Sequence, residues 1–175
     1  AEYEDVEDNP YLRDFYGDMR KWSFHLQVYF LNSRFQQIRA IRESKNTTIQ
    51  DRTIYEDAYI FAANLHHSEL IDERDYQNYL NLFKSMIEHT QAPDLLIYLR
   101  ADIPKLVHQI QKRGRDYEDT IRLDYLKNLN MHYENWIGAY DRGTLLIIDV
   151  NNMDFEERVE AFSAIVNKVD VELNG

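Results

Sequence analysis

Apolar residues recur along this chain in two rhythms, and the change from one to the other marks its elements. From Trp22 to about Arg42, the residues Trp22, Leu26, Tyr29, Phe30 and Phe35 return at mixed three- and four-residue steps, the spacing of a largely buried helix. A second helix is expected after Asp51-Arg52-Thr53. Tyr76, Tyr79, Leu80, Phe83 and Ile87 form one stripe, which predicts a helix from near Asp75 to His89 with Asp72 as its cap. Leu123, Leu126, Leu129, Tyr133, Trp136, Ile137 and Tyr140 mark a long amphipathic helix. In contrast, Leu95-Leu96-Ile97-Tyr98-Leu99 and Leu145-Leu146-Ile147-Ile148-Asp149 are continuous apolar runs preceded by turn signals, Gln91-Ala92-Pro93-Asp94 and Asp141-Arg142-Gly143. Such runs predict strands covered on both faces. Thr47-Thr48-Ile49-Gln50 also reads as β. Asp102 and Pro104 open a helix that runs into Arg113-Gly114-Arg115, and Asp154 with Glu157 reads as a capping-box start to a last helix carrying Phe155, Val159, Phe162 and Val166. Apolar strands alternating with helices predict an α/β fold: a parallel sheet covered by helices, rich in helix.

Five glycines and three prolines leave few breakers, and no linker or repeat stands out, so one domain over residues 1–175 is expected. The net charge of −11 argues against a nucleic acid polymer as partner, which would need Lys and Arg over a broad surface. A phosphate met here should be small and held by a local arginine cluster. Without cysteine there is no disulfide frame, thiolate nucleophile or cysteine zinc site. No run approaches the ~20 apolar residues of a membrane span, and the start lacks the basic and apolar regions of a signal peptide. No membrane partner and a cytoplasmic location are expected.

The segment Asp51-Arg52-Thr53-Ile54-Tyr55-Glu56-Asp57-Ala58-Tyr59-Ile60-Phe61 is the most informative. It sets an acid and an arginine at the end of a β-reading run, where ligands of open α/β sheets bind. Glu56, Asp57 and Phe61 follow at helical spacings that return a carboxylate and a ring over the same mouth. Arg113-Gly114-Arg115 places two guanidinium forks beside a glycine hinge, fit to close on phosphate oxygens or, as the plainer reading, to pair with Asp116, Glu118 and Asp119. Glu4 is a candidate general base, with a surface role for this acidic stretch as the alternative. Arg34 and Asp57 form either a fork-to-carboxylate pair presented to a base edge or an ordinary interhelical salt bridge. Phe61 and Trp22 read first as core. The six histidines form no ligand set, and no structural metal is expected.

Taken in order, four motifs give the chain a resemblance to the deoxynucleoside kinases, most of all the bacterial deoxyadenosine and deoxyguanosine kinases and their deoxycytidine kinase relatives. They are Glu4-Asp5-Val6-Glu7-Asp8-Asn9-Pro10-Tyr11-Leu12, Gln27 within the Trp22-to-Tyr29 helix, the Asp51-to-Phe61 segment, and Lys112-Arg113-Gly114-Arg115-Asp116-Tyr117-Glu118. The resemblance implies ATP-dependent phosphorylation of a deoxynucleoside 5'-hydroxyl in nucleotide salvage, with purine preference and deoxycytidine as a further substrate. It implies Glu4 as the base and Arg52 as the holder of that carboxylate and the incoming phosphate. Tyr16 and Glu118 would bind the sugar 3'-hydroxyl, Gln27 would pair with the base edge, and Phe61 would stack on it. Arg34 and Asp57 match the polar pair of purine- and deoxycytidine-accepting members. Arg113 and Arg115 would be lid arginines, Asp51 would sit near Mg2+, and Asp149-Val150-Asn151-Asn152-Met153-Asp154-Phe155 would flank the adenine of ATP. A homodimer is also implied.

Departures from the family pattern are mostly small: Thr53 stands where many members have serine, Asp51 where others have glutamate, and Gln109 where several have a further lid arginine. The large one is the glycine-rich GxxxxGK[ST] loop, whose amides, lysine and hydroxyl hold phosphates and magnesium. The chain carries no such motif. It is therefore expected to correspond to the carboxyl-terminal four-fifths of a kinase, lacking the first strand, phosphate loop and first helix, and by itself to be inactive. A catalytically incomplete nucleoside-binding or dimerisation fragment is the alternative.

Overall fold

The structure, a computed structural model, describes residues 9–114, 123–155 and 157–175. These fall into two compact units, one drawn from 9–91 and 123–136 and the other from 92–114 and 137–175.

The first unit is helical. Helix α1 (Leu12–Gly17) is opened by Asn9, whose Oδ1 accepts from the Tyr11 and Leu12 amides at 2.9 and 3.1 Å. Asp18 caps the long helix α2 (Met19–Glu43) by accepting from Lys21 N–H, which moves its start three residues ahead of the apolar periodicity. A second helical run opens as α3 (Ile54–Glu56), widens into a π-helical turn over Asp57–Ala62, and returns to α geometry as α4 (Ala63–His67). Asp72 caps α5 (Glu73–Ile87) through Asp75 N–H at 2.8 Å, as the sequence predicts. Leu31, Ile54, Tyr55, Ala58, Ala62, Tyr79 and Phe83 pack these helices together, and Phe15, Leu26, Leu65 and Ile71 form a second cluster with α1. Apolar side chains removed from water at this density are the main source of stability.

The second unit holds the sheet. Strands β1 (Leu95–Arg100) and β2 (Thr144–Asp149) pair in parallel, with Leu95 opposite Thr144 and Arg100 opposite Asp149. Helix α6 (Ile103–Arg113) leaves β1 with Pro104 in its first turn and stops at Gly114, whose φ of 62° is the left-handed conformation that glycine adopts without strain. Helix α7 (Leu123–Gly138), whose residues 123–136 belong to the first unit, precedes β2, and α8 (Val159–Asn174) follows it. Ala101, Ile148 and Val150 make the core, covered by Leu106, Leu146, Met153, Phe155 and Ile165.

Three expectations need correction. Thr47–Gln50 is no strand: only Gln50 carries an isolated bridge, and Ile49 is 72% exposed. The β-branched residues there have no pleated surface to pack against, so propensity alone does not make a strand. Helix α8 begins at Val159, after Phe155, because Glu157 turns to Lys112 at 2.6 Å and leaves the cap that its spacing to Asp154 predicts. The strands are also not covered on both faces among the described residues, since Ile97, Leu99 and Ile147 are each about two-fifths exposed.

Candidate active site

Residues 50–61 gather the polar chemistry of the first unit. Arg52 has φ of 64°, in the left-handed region that costs a residue with a Cβ roughly 1–2 kcal/mol. The peptides on either side of it are held. Arg34 Nη1 donates to the Asp51 carbonyl at 2.6 Å, and the Thr53 N–H donates to the Glu56 carboxylate. Thr53 Oγ1 accepts in return from Tyr55 N–H at 3.3 Å, completing a capping box that starts α3. Arg52 then lays its guanidinium over the Phe61 ring, 4.5 Å from the centroid. Phe61 meets Tyr133 edge-on at 6.3 Å.

Arg34 and Asp57 are each only 2% exposed, with Nε 3.7 Å from Oδ2. Both carboxylate and guanidinium are thus removed from water, where a pair left half-made is costly. Arg34 Nη1 also donates to Gln37 Oε1 at 3.2 Å, which accepts from Gln50 Nε2 at 3.3 Å, so the loop before Arg52 is tied to α2. Gln27 lies seven residues before Arg34 on the same buried face of α2, 4% exposed. Its Oε1 has no hydrogen-bond partner among the described residues. A buried acceptor of this kind is uncommon unless something else satisfies it.

Tyr16 sits half-buried in α1, edge-on to Phe15. The Asp51 carboxylate is at the surface, while its carbonyl is taken by Arg34. Among the described residues no three His, Cys, Asp or Glu side chains converge on a metal position. Trp22 packs with Tyr11 and His25, as its core reading expects. Glu4, Glu118 and Arg115 lie outside the described residues.

In the second unit, Arg113 ends α6 and is exposed. Beside it, Lys105, His108, Gln109, Lys112, Met153, Asp154 and Phe155 line a small cleft against the loop that follows β2. Lys105 Nζ donates to the Met153 carbonyl at 3.3 Å. The cleft thus borders the Asp149–Phe155 stretch that the resemblance gives to adenine.

Electrostatics single out residues that the pattern along the chain does not. Burial pushes the Glu56 carboxyl up, against the opposing pull of Thr53, Arg52 and Arg34. Burial likewise raises the Tyr79 phenol well above its usual value, reinforced by Asp57 and Tyr76, and its hydroxyl has no hydrogen-bond partner among the described residues. Tyr125 is raised by burial too, offset by Asn64 and Arg52. Asn64 is fully buried, and neither its carboxamide oxygen nor its nitrogen has a hydrogen-bond partner among the described residues. Tyr79 looks like core from its apolar stripe, and Asn64 and Tyr125 have no motif of their own. A polar residue on the buried side of a helical stripe is the only signal they leave.

The family model described as deoxynucleoside kinase matches residues 1–174. The Bacillus subtilis deoxyadenosine/deoxycytidine kinase is 36% identical over 168 residues, covering 95% of this chain and 77% of its own length. The Dictyostelium discoideum deoxyadenosine kinase is 42% identical over 153 residues, 87% of this chain and 62% of that protein. Among solved structures, the M. mycoides deoxyadenosine kinase with products dCMP and a flexible dCDP bound matches with a TM-score of 0.83 at 30% identity, over 97% of this chain and 86% of its own. The helix-rich α/β architecture is therefore that of the P-loop nucleoside kinases. A family-model match over residues 1–174, joined by a backbone match over 97% of the chain, makes this chain a member of the deoxynucleoside kinase family.

Proposed function

We propose that the protein phosphorylates the 5'-hydroxyl of purine deoxynucleosides and deoxycytidine with ATP, and that the Arg34–Asp57 pair selects the base. The observation that carries the reading is this pair, buried at 2% exposure each, with Arg34 on the face of α2 that also carries Gln27, whose Oε1 has no hydrogen-bond partner among the described residues. A guanidinium and a carboxylate offer a donor fork and an acceptor to a base edge, and a base that leaves one of them unmet is rejected. Thymine, which has a carbonyl where cytosine has an amino group and a methyl on the neighbouring carbon, satisfies this pair poorly.

Phosphoryl transfer needs the hydroxyl in line and negative charge met, with little covalent chemistry from the protein. Glu4 is assigned as the base that receives the hydroxyl proton, and Glu118 and Tyr16 as holders of the sugar. Arg52 is assigned to the charge of the transferring phosphate. Its fixed backbone suits the role, because a preorganised donor need not reorient as charge develops. Arg113 and Arg115 are assigned to the ATP phosphates. The exposed carboxylate of Asp51 fits a Mg2+ ion that keeps waters and phosphate oxygens as its other ligands; magnesium would neutralise phosphate charge. The protein is further proposed to work as a homodimer.

The test is phosphorylation of each deoxynucleoside by wild-type and Asp57→Ala full-length protein. Thymidine should be the poorest wild-type substrate, and Asp57→Ala should lose the ranking. Equal efficiency on thymidine, or an unchanged ranking in the variant, would overturn the assignment.

A further inference from the structure

We infer that Glu56 is a positioning residue for Arg52, holding the left-handed turn that aims the Arg52 guanidinium. The inference deepens the proposed function, resting on its assignment of Arg52 to the transferring phosphate. The φ of 64° at Arg52 is unfavourable for a side chain with a Cβ, so something must hold it. Two contacts do. On the amino-terminal side the Asp51 carbonyl is fixed by Arg34. On the carboxyl-terminal side the Thr53 N–H is fixed by Glu56. Without the second, the peptide between Arg52 and Thr53 is free to rotate toward the commoner right-handed geometry, and the guanidinium swings off Phe61.

Glu56 is more than an ordinary helix cap. A capping-box glutamate normally stands in water, whereas this one is 8% exposed, and its carboxylate feels both Arg52 and Arg34. One side chain therefore ties together the helix start, the strained turn and the two arginines assigned to phosphate and base. Arg52 touches the substrate in this scheme; Glu56 acts through it.

A double-mutant cycle in the full-length protein tests this. Glu56→Ala should lower kcat by about 10–100-fold, as expected for a misplaced catalytic group, while nucleoside KM stays within about threefold. Glu56→Gln, whose amide oxygen still accepts from Thr53, should recover kcat to within about fivefold of wild type. In an Arg52→Ala background, Glu56→Ala should cost almost nothing more, since its effect runs through the missing guanidinium. Equal fold-losses in both backgrounds would overturn the inference in favour of a purely structural role, as would unchanged kcat in Glu56→Ala. If Glu56→Ala does not fold, Glu56→Asp, one methylene shorter, replaces it. The Thr53 amide proton supplies a readout independent of activity: a downfield resonance in wild type and Glu56→Gln that is lost in Glu56→Ala. Its absence from wild type would overturn the brace itself, whereas a wild-type protein inactive on every deoxynucleoside would overturn the kinase assignment and leave the brace standing.

Discussion

The buried Arg34–Asp57 pair has a stability consequence distinct from its proposed role in base choice. Removing one partner leaves an uncompensated charge in a site 2% exposed, so Asp57→Ala should destabilise by roughly 3–5 kcal/mol in urea unfolding. An effect within 0.5 kcal/mol of zero, the range of ordinary surface substitutions, would mean that the pair is solvated. Glu56 makes a second prediction. Its folded-state carboxyl is raised, chiefly by burial, so the folded state binds more protons than the unfolded one just above pH 4.5. Stability from this group is therefore fully present below the unfolded value and falls as pH rises through the folded one. Glu56→Gln removes that slope, so wild type minus variant stability should decrease with rising pH across this window; an increase would reverse the assigned sign. His132 runs the other way: burial and then His67 lower it, so its contribution is lost as pH falls through 6.5. Several of these residues were legible by type. Glu56, Asp57 and Phe61 fall at helical spacings in a charged segment, but that Glu56 braces the backbone at Arg52 is legible only once the left-handed turn there is seen.

At the scale of elements, some helix ends were legible by residue type, while others, such as the Asp18 cap and the Thr53–Glu56 box, were not. Asp72 and Gly114 announce their helix ends by residue type. The end of α4 has no such sign. Leu70 N–H donates to the Leu65 carbonyl and Glu69 N–H to that of His66, both at 2.9 Å, which is the pattern of a Schellman stop with glutamate in the left-handed position at φ 57°. Glu69→Gly should accordingly stabilise the protein by about 1 kcal/mol, measured by the urea midpoint, with kinase activity unchanged. Destabilisation of that size would show that the Glu69 side chain holds the turn by contacts of its own. The π-helical turn at Asp57–Ala62 was equally invisible, because its residues keep a spacing that reads as ordinary helix. Thr47–Gln50 shows the opposite failure: β-branched residues suggest a strand, but strand pairing is a long-range fact that four residues cannot carry.

For the whole molecule, the two apolar runs at β1 and β2 sufficed to predict a parallel pair, because apolar strands that alternate with helices cross over in parallel. The family was legible because its motifs are chemical: each holds residues that a phosphate, a sugar or a base requires, in chain order. Where a side chain lies relative to its partners was not, since Arg34 meets the Asp51 carbonyl across seventeen residues and Arg42 the His89 carbonyl across forty-seven. Glu4 belongs to this scale, because the proton it is assigned to take sits on a substrate held by the rest of the fold. Glu4→Gln in the full-length protein should lower kcat by about 10²–10⁴-fold with nucleoside KM little changed, and near-normal turnover would place the base elsewhere. The most direct measurement of the central claim is ATP-dependent formation of 5'-monophosphates with magnesium, run by the full-length protein on deoxyadenosine, deoxyguanosine, deoxycytidine and thymidine side by side. The account predicts product from the purine deoxynucleosides and deoxycytidine, with kcat/KM for thymidine lower by about tenfold or more, the loss from one unmet buried polar group. Thymidine turned over as well as the others, or no monophosphate from any of them, would contradict it.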